Sequence, residues 1–136
     1  DYLAAADILF LSNEGIAGRE ADFMRTLVLG CGAEIICIGM GAEGVMLYSR
    51  ADATIRRYRA VVTRKIVNTI GAGDSLFSAF IYFYSLNGDT DGAIRRALLF
   101  ASWKIGVKGA ADGFCSGNEL ESLFLRYGRD IEKFII

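Results

Sequence analysis

The sequence predicts an α/β fold, with a largely parallel sheet flanked by helices and a helical C-terminal half. Short, almost wholly apolar runs (DILFL at 7–11, EIICI at 34–38) alternate early with a helical apolar period. Runs of that length suit strands covered on both faces better than buried helices. Beyond residue 71 the apolar residues recur at helical spacing instead. With 136 residues, 53% hydrophobic and 23% charged, the chain is read as one domain over 1–136. A chain of this size buries roughly two-thirds of its unfolded surface.

In chain order, residues 7–11 read as a buried strand, followed by a helix over 18–29 with Ala17, Ala21, Met24 and Val28 on one face. Gly30 and Gly32 end it, and residues 34–38 form the next strand. VMLYS at 45–49 makes a further strand after a glycine turn, and 54–62 and 65–67 are β-branched and extended. A helix runs from the 71–74 turn to about Leu86, with Leu76, Phe77, Phe80, Ile81 and Tyr84 on its core side. Asn87-Gly88 supplies a left-handed end. The period returns from Asp91 to Val107 through Ile94, Ala97, Leu98, Ala101 and Ile105. Ser116 and Glu119 make a capping box for a last helix ending near Tyr127. Right-handed crossovers put residues 71–74 at a carboxyl end of the sheet, where such folds bind ligands.

Composition removes several chemistries. There is no histidine, so Ser-His-Asp catalysis and most catalytic zinc sites are excluded. Cys31, Cys37 and Cys115 are odd in number without C-x-x-C spacing, and read as free thiols of a reducing cytoplasm. The net charge of −1 argues against nucleic acid, and the cluster Arg56, Arg57, Arg59, Arg64 and Lys65 reads as a solvated strand edge. No membrane span is expected, because the apolar stretch 77–86 is short and interrupted by Ser78 and Ser85.

Gly39-Met40-Gly41-Ala42-Glu43-Gly44 spells G-x-G-x-x-G, but a strand follows where a dinucleotide fold needs a helix. It reads as a hairpin turn. Asn68-Thr69-Ile70-Gly71-Ala72-Gly73-Asp74 carries more chemistry. Small residues at a helix start let backbone N–H groups converge on an anion, and the adjoining carboxylate can take a proton from a hydroxyl. A structural helix start is the competing interpretation of those residues alone.

Residues 67–80 (VNTIGAGDSLFSAF) closely resemble the Asp-Thr-x-Gly-Ala-Gly-Asp signature of the ribokinase-like, or PfkB-type, carbohydrate kinases. Residues 6–14 (ADILFLSNE) are similar to the family's strand leading to an Asn-x-x-Glu motif, although Ile16 holds the glutamate position. Residues 41–44 resemble its glycine turn, and Lys108-Gly109-Ala110 the loop after the following helix. The resemblance covers the C-terminal, nucleotide-side portion of such an enzyme, without the N-terminal substrate portion. It implies ATP-dependent phosphoryl transfer to a hydroxyl of a sugar or nucleoside-type molecule. Asp74 would be the general base and the backbone of Gly71, Ala72, Gly73 and Asp74 the anion hole. Gly41, Gly44, Gly109 and Ala110 would border the nucleotide, and Asn13 and Glu14 a magnesium ion. Asn68 occupies a position associated with a monovalent cation, where an amide keeps an oxygen without the charge. Missing sheet neighbours imply pairing with the absent half or with a second copy. The alternative is a non-catalytic nucleotide-binding or interaction module derived from such a kinase.

Overall fold

The computed structural model describes residues 7–60, 72–104, 117–128, 131 and 133–135. The chain divides into two compact units, 1–59 with 132–136, and 60–131. The first unit is a five-stranded sheet with one helix. Its strands are β1 (Ile8–Ser12), β2 (Ile35–Gly39), β3 (Val45–Ser49), β4 (Thr54–Tyr58) and β5 (Lys133–Ile135), in spatial order β1-β2-β3-β4-β5. Helix α1 (Glu20–Gly30) joins the parallel pair β1 and β2, Ile8 lying beside Ile35 and Ser12 beside Gly39.

The α/β character stands, while the described sheet is mixed. Only β1 and β2 run parallel; β2–β3, β3–β4 and β4–β5 are antiparallel. For β2–β3 and β3–β4, chain length between the strands decides this. A parallel return needs a crossover such as α1, whereas the segments 40–44 and 50–53 are long enough only for tight reversals. In the second reversal Ala53 adopts φ 55°, and its N–H donates to the Ser49 carbonyl at 2.9 Å.

Period-2 alternation sends Ile36 and Ile38 to the face that α1 covers, where they pack with Leu9, Met24, Ala33, Met40 and Met46. Ile35 and Cys37, on the opposite face, are also buried. Met24 is the helix's anchor, flanked by the partly buried Ala21, Leu27 and Val28. Ala17 is exposed and precedes the helix, contrary to the expected apolar face; buried Glu20 stands one turn before Met24 in its place. The basic strand β4 is not a sheet edge, since β5 pairs Lys133 with Tyr58 and Phe134 with Arg57. Arg56 is instead paired with Asp52, and Arg59 lies over the Phe134 ring.

The second unit contains helices α2 (Ala72–Asn87), α3 (Thr90–Lys104) and α4 (Gly117–Tyr127). As expected, Gly88 ends α2 in a left-handed conformation (φ 71°), and its N–H donates to the Tyr84 carbonyl at 2.8 Å. Asp89 then caps α3, its Oδ1 accepting the Gly92 N–H at 3.1 Å. That helix starts one residue before Asp91, the start expected from periodicity. Leu76, Ala79 and Phe80 of α2 and Ala93, Ile94, Ala97, Leu98 and Leu99 of α3 are buried. Arg95 ties the end of the unit together, donating to Asp91 Oδ2 (3.0 Å) and to the carbonyls of Gly128 (2.7 Å) and Ile131 (3.0 Å). Arg96 pairs with Glu121 at 2.9 Å and lies 3.8 Å above the centre of the Phe124 ring. Residues 61–71, Ile105, Val107, Cys115 and Ser116 lie outside the described residues, and so do the expected strand over 65–67 and the capping box. No helix among the described residues is long and apolar enough to cross a membrane.

Packing separates two aromatic neighbours on α2: Phe80 is 0% exposed and Tyr82 59%. Phe80→Ala should lower unfolding free energy by about 3–5 kcal/mol. Tyr82→Ala should stay within about 0.5 kcal/mol of wild type. Urea unfolding of both variants checks this, and equal losses would contradict the packing described.

Candidate active site

In the sheet unit, the predicted residues lie where β1 and β2 end. Asn13 directly follows β1, and its N–H donates to the Gly39 carbonyl at 2.9 Å, joining the β1–α1 turn to the last residue of β2. The chain then reverses through Gly15 (φ 81°) and Gly18 (φ 84°), both in the left-handed region that glycine tolerates. Glu14 is exposed, with its N–H donated to Ser12 Oγ at 3.2 Å.

A residue absent from the sequence-based set holds this turn. Glu20 begins α1 and is only 8% exposed. Its Oε2 accepts Asn13 Nδ2 at 3.0 Å and its Oε1 accepts the Gly18 N–H at 2.9 Å. The Asn13 amide holds the Glu20 carboxyl below the usual glutamate range. Its own N–H, that of Gly18 and the charge of Arg57 act in the same direction, and burial opposes them. The available sequence signal was position: Glu20 stands four residues before Met24, on the buried face of α1.

The glycine turn joins β2 to β3 through one turn of 3-10 helix, Gly41–Glu43. Met40 N–H donates to the Gly44 carbonyl at 2.8 Å, and Gly44 N–H to that of Gly41 at 3.2 Å. Gly41 has φ 59° and Gly44 φ 104°, so a side chain at 44 would be strained. Since β3 opens where a dinucleotide fold would open a helix, the turn has the expected hairpin form. Beside it Arg57 reaches Glu43 at 4.0 Å, and the buried Arg57 Nε has no hydrogen-bond partner among the described residues.

In the helical unit, Ala72, Gly73 and Asp74 form the first turn of α2, where backbone N–H groups lack intrahelical acceptors. Gly73 and Asp74 are exposed, and Ser75 and Leu76 directly after them are buried. A Cβ built on Gly73 would meet nothing within 4 Å, so packing does not require glycine there. Asn68, Gly71, Gly109 and Ala110 lie outside the described residues.

No group of three or more metal-ligating Cys, Asp or Glu side chains occurs among the described residues. One amide and one exposed carboxylate, Asn13 and Glu14, suit magnesium that arrives bound to phosphates, as this ion commonly does. Burial pushes the Cys37 thiol up, away from the reactive thiolate.

Residues 3–115 match the pfkB family carbohydrate kinase domain. Over 101 residues the chain is 30% identical to fructosamine kinase FrlD of Bacillus subtilis strain 168, covering 74% of this chain and 34% of that one. It is 34% identical over 91 residues to 5-dehydro-2-deoxygluconokinase of Listeria innocua, covering 67% and 27%. The chain thus spans between about a quarter and a third of the length of the curated relatives it matches. Among solved structures, a microbiome-derived acarbose kinase superposes with a TM-score of 0.75 at 28% identity, over 92% of this chain and 42% of that one. A ribokinase II of E. coli in complex with ATP and Mg²⁺ also gives 0.75, at 21% identity, over 92% and 41%, a likeness of fold.

The Glu20 contacts carry a pH signature. A depressed folded pKa stabilises fully above the unfolded value near 4.5, and the contribution disappears as pH falls through the folded value. Thermal melts of wild type and Glu20→Gln should therefore differ most near neutrality and converge as pH falls through the folded value. A difference independent of pH would contradict the hydrogen-bonded carboxylate.

Proposed function

The chain belongs to the pfkB family of carbohydrate kinases, and we propose that it carries the phosphate-side portion of an ATP-dependent kinase acting on a hydroxyl of a sugar or nucleoside-type molecule. The observation behind this reading is the start of α2. An exposed carboxylate, Asp74, adjoins a glycine with open space around it, and neither is needed for packing. A carboxylate within reach of an alcohol can take its proton as the oxygen attacks phosphorus. The N–H groups of Gly71, Ala72, Gly73 and Asp74 supply donors and a favourable dipole for charge growing on the transferred group. Phosphoryl transfer asks little more of a protein than such positioning and charge stabilisation.

Gly41 and Gly44 form one border of the nucleotide in this reading, and Gly109 and Ala110 another. Asn13 and Glu14 would hold magnesium with the nucleotide, where the ion neutralises phosphate charge. Relatives named for fructosamine and 5-dehydro-2-deoxygluconate support a polyhydroxylated small molecule as acceptor. One observation favours a second reading, a nucleotide-binding module without turnover: Ile16 stands where the Asn-x-x-Glu motif has its carboxylate.

In the kinase containing this chain, Asp74→Asn should leave ADP affinity close to wild type while turnover on its sugar falls ~10²–10⁴-fold. Near-normal turnover would sink the base assignment. Calorimetry separates the role of the neighbouring glycine. Gly73→Val should weaken ADP more than adenosine, and equal effects on both would mean that the helix start does not approach the phosphates.

A further inference from the structure

We infer that Glu20 is a positioning residue that decides which end of the Asn13 amide faces a ligand, an inference that rests on the nucleotide-binding reading above. A primary amide offers a donor end and an acceptor end, and its surroundings choose between them. An ionised carboxylate only accepts hydrogen bonds, so it selects the Nδ2 end. Glu20 Oε2 takes Asn13 Nδ2 at 3.0 Å, and Oδ1 makes no hydrogen bond among the described residues. The acceptor end therefore remains for a ligand, on the residue before the exposed Glu14. Oxygen acceptors on successive residues suit a hard cation or the water it carries.

The carboxylate is itself held. Its second oxygen takes the Gly18 N–H at 2.9 Å, and Glu20 is fixed at the start of α1. Asn13 is held from its other side, since its N–H donates to the Gly39 carbonyl at 2.9 Å. With the backbone pinned there and the amide pinned at Glu20, only the sense of the amide can change. Replacing Glu20 by glutamine makes that change. While Gly18 keeps the remaining oxygen, the new Nε2 donor faces Asn13 and turns its amide over, presenting NH₂ outward. The adjacent Ile16 carries no carboxylate to compensate.

The test titrates ADP calorimetrically, with and without magnesium chloride, into wild type, Glu20→Gln and the Glu20→Gln/Asn13→Asp double variant. Magnesium should tighten ADP binding to wild type. Glu20→Gln should lose about 10–100-fold of metal affinity while binding magnesium-free ADP as wild type does. The double variant should recover the magnesium effect, because the carboxylate introduced at position 13 accepts from the amide introduced at position 20 and again shows an oxygen outward. If Glu20→Gln does not fold, Asn13→Ala takes its place, keeping the Glu20–Gly18 contact and losing the same magnesium effect. An unchanged magnesium effect in the folded single variants, or no recovery in the double variant, overturns the inference while leaving the nucleotide reading intact. A wild-type chain that binds no ADP in either condition overturns both.

Discussion

Strand β2 is the constraint on which the sheet unit depends. Ile35, Ile36, Cys37 and Ile38 are all buried, so β2 needs a hydrogen-bonded neighbour on each side and cover on both faces. Burying each such side chain is worth about 1.5–3 kcal/mol. That drive fixes β2 in the interior without fixing its register. When both faces are apolar, a one-residue slip moves no polar group into the core. Register must then come from the strand ends, where the 3-10 turn and the Asn13–Gly39 hydrogen bond lie.

The candidate residues of the sheet unit sit at the same strand ends. Backbone groups leaving a sheet must find partners, and here the Asn13 N–H meets the Gly39 carbonyl while the Glu20 carboxylate takes the Gly18 N–H and the Asn13 amide. In the proposed reading, stability and presentation of a ligand acceptor share one small network. The start of α2 is different. Its first N–H groups have no partners in the helix, and Gly73 and Asp74 are exposed. In the first region the Glu20 carboxylate is buried with both oxygens hydrogen-bonded, and in the second Gly73 and Asp74 are exposed, which suits the positioning and reacting roles proposed for them.

Much of this was legible in the sequence because hydrophobic period and turn residues act locally. Strands at 35–39 and 45–49, the glycine hairpin, helices α1 to α4 and the left-handed Gly88 all follow from short-range pattern. Strand β5 did not, since Lys133, Phe134 and Ile135 are too few to show alternation and owe their structure to pairing with β4. The sheet is mixed where largely parallel was expected, as apolar runs signal burial and say nothing of orientation. Glu20 was hidden by its type: an acid at a helix start reads as a solvated dipole partner, and only the three-dimensional return of Asn13 makes it a buried acceptor. Of the candidate residues, Asp74 and Gly73 fall at the helix start the sequence implied, and Gly41 and Gly44 in the turn.

The proposed kinase reading assigns residues 41–44 and, separately, residues 72–74 to nucleotide binding. Amide chemical-shift mapping of the labelled chain during titration with ADP and magnesium, with NAD as a parallel titrant, tests this most directly. Saturable shifts concentrated at residues 41–44 and 72–74 are expected with ADP, and none with NAD. Shifts confined to other residues, or an equal response to NAD, would contradict the kinase reading of these two segments.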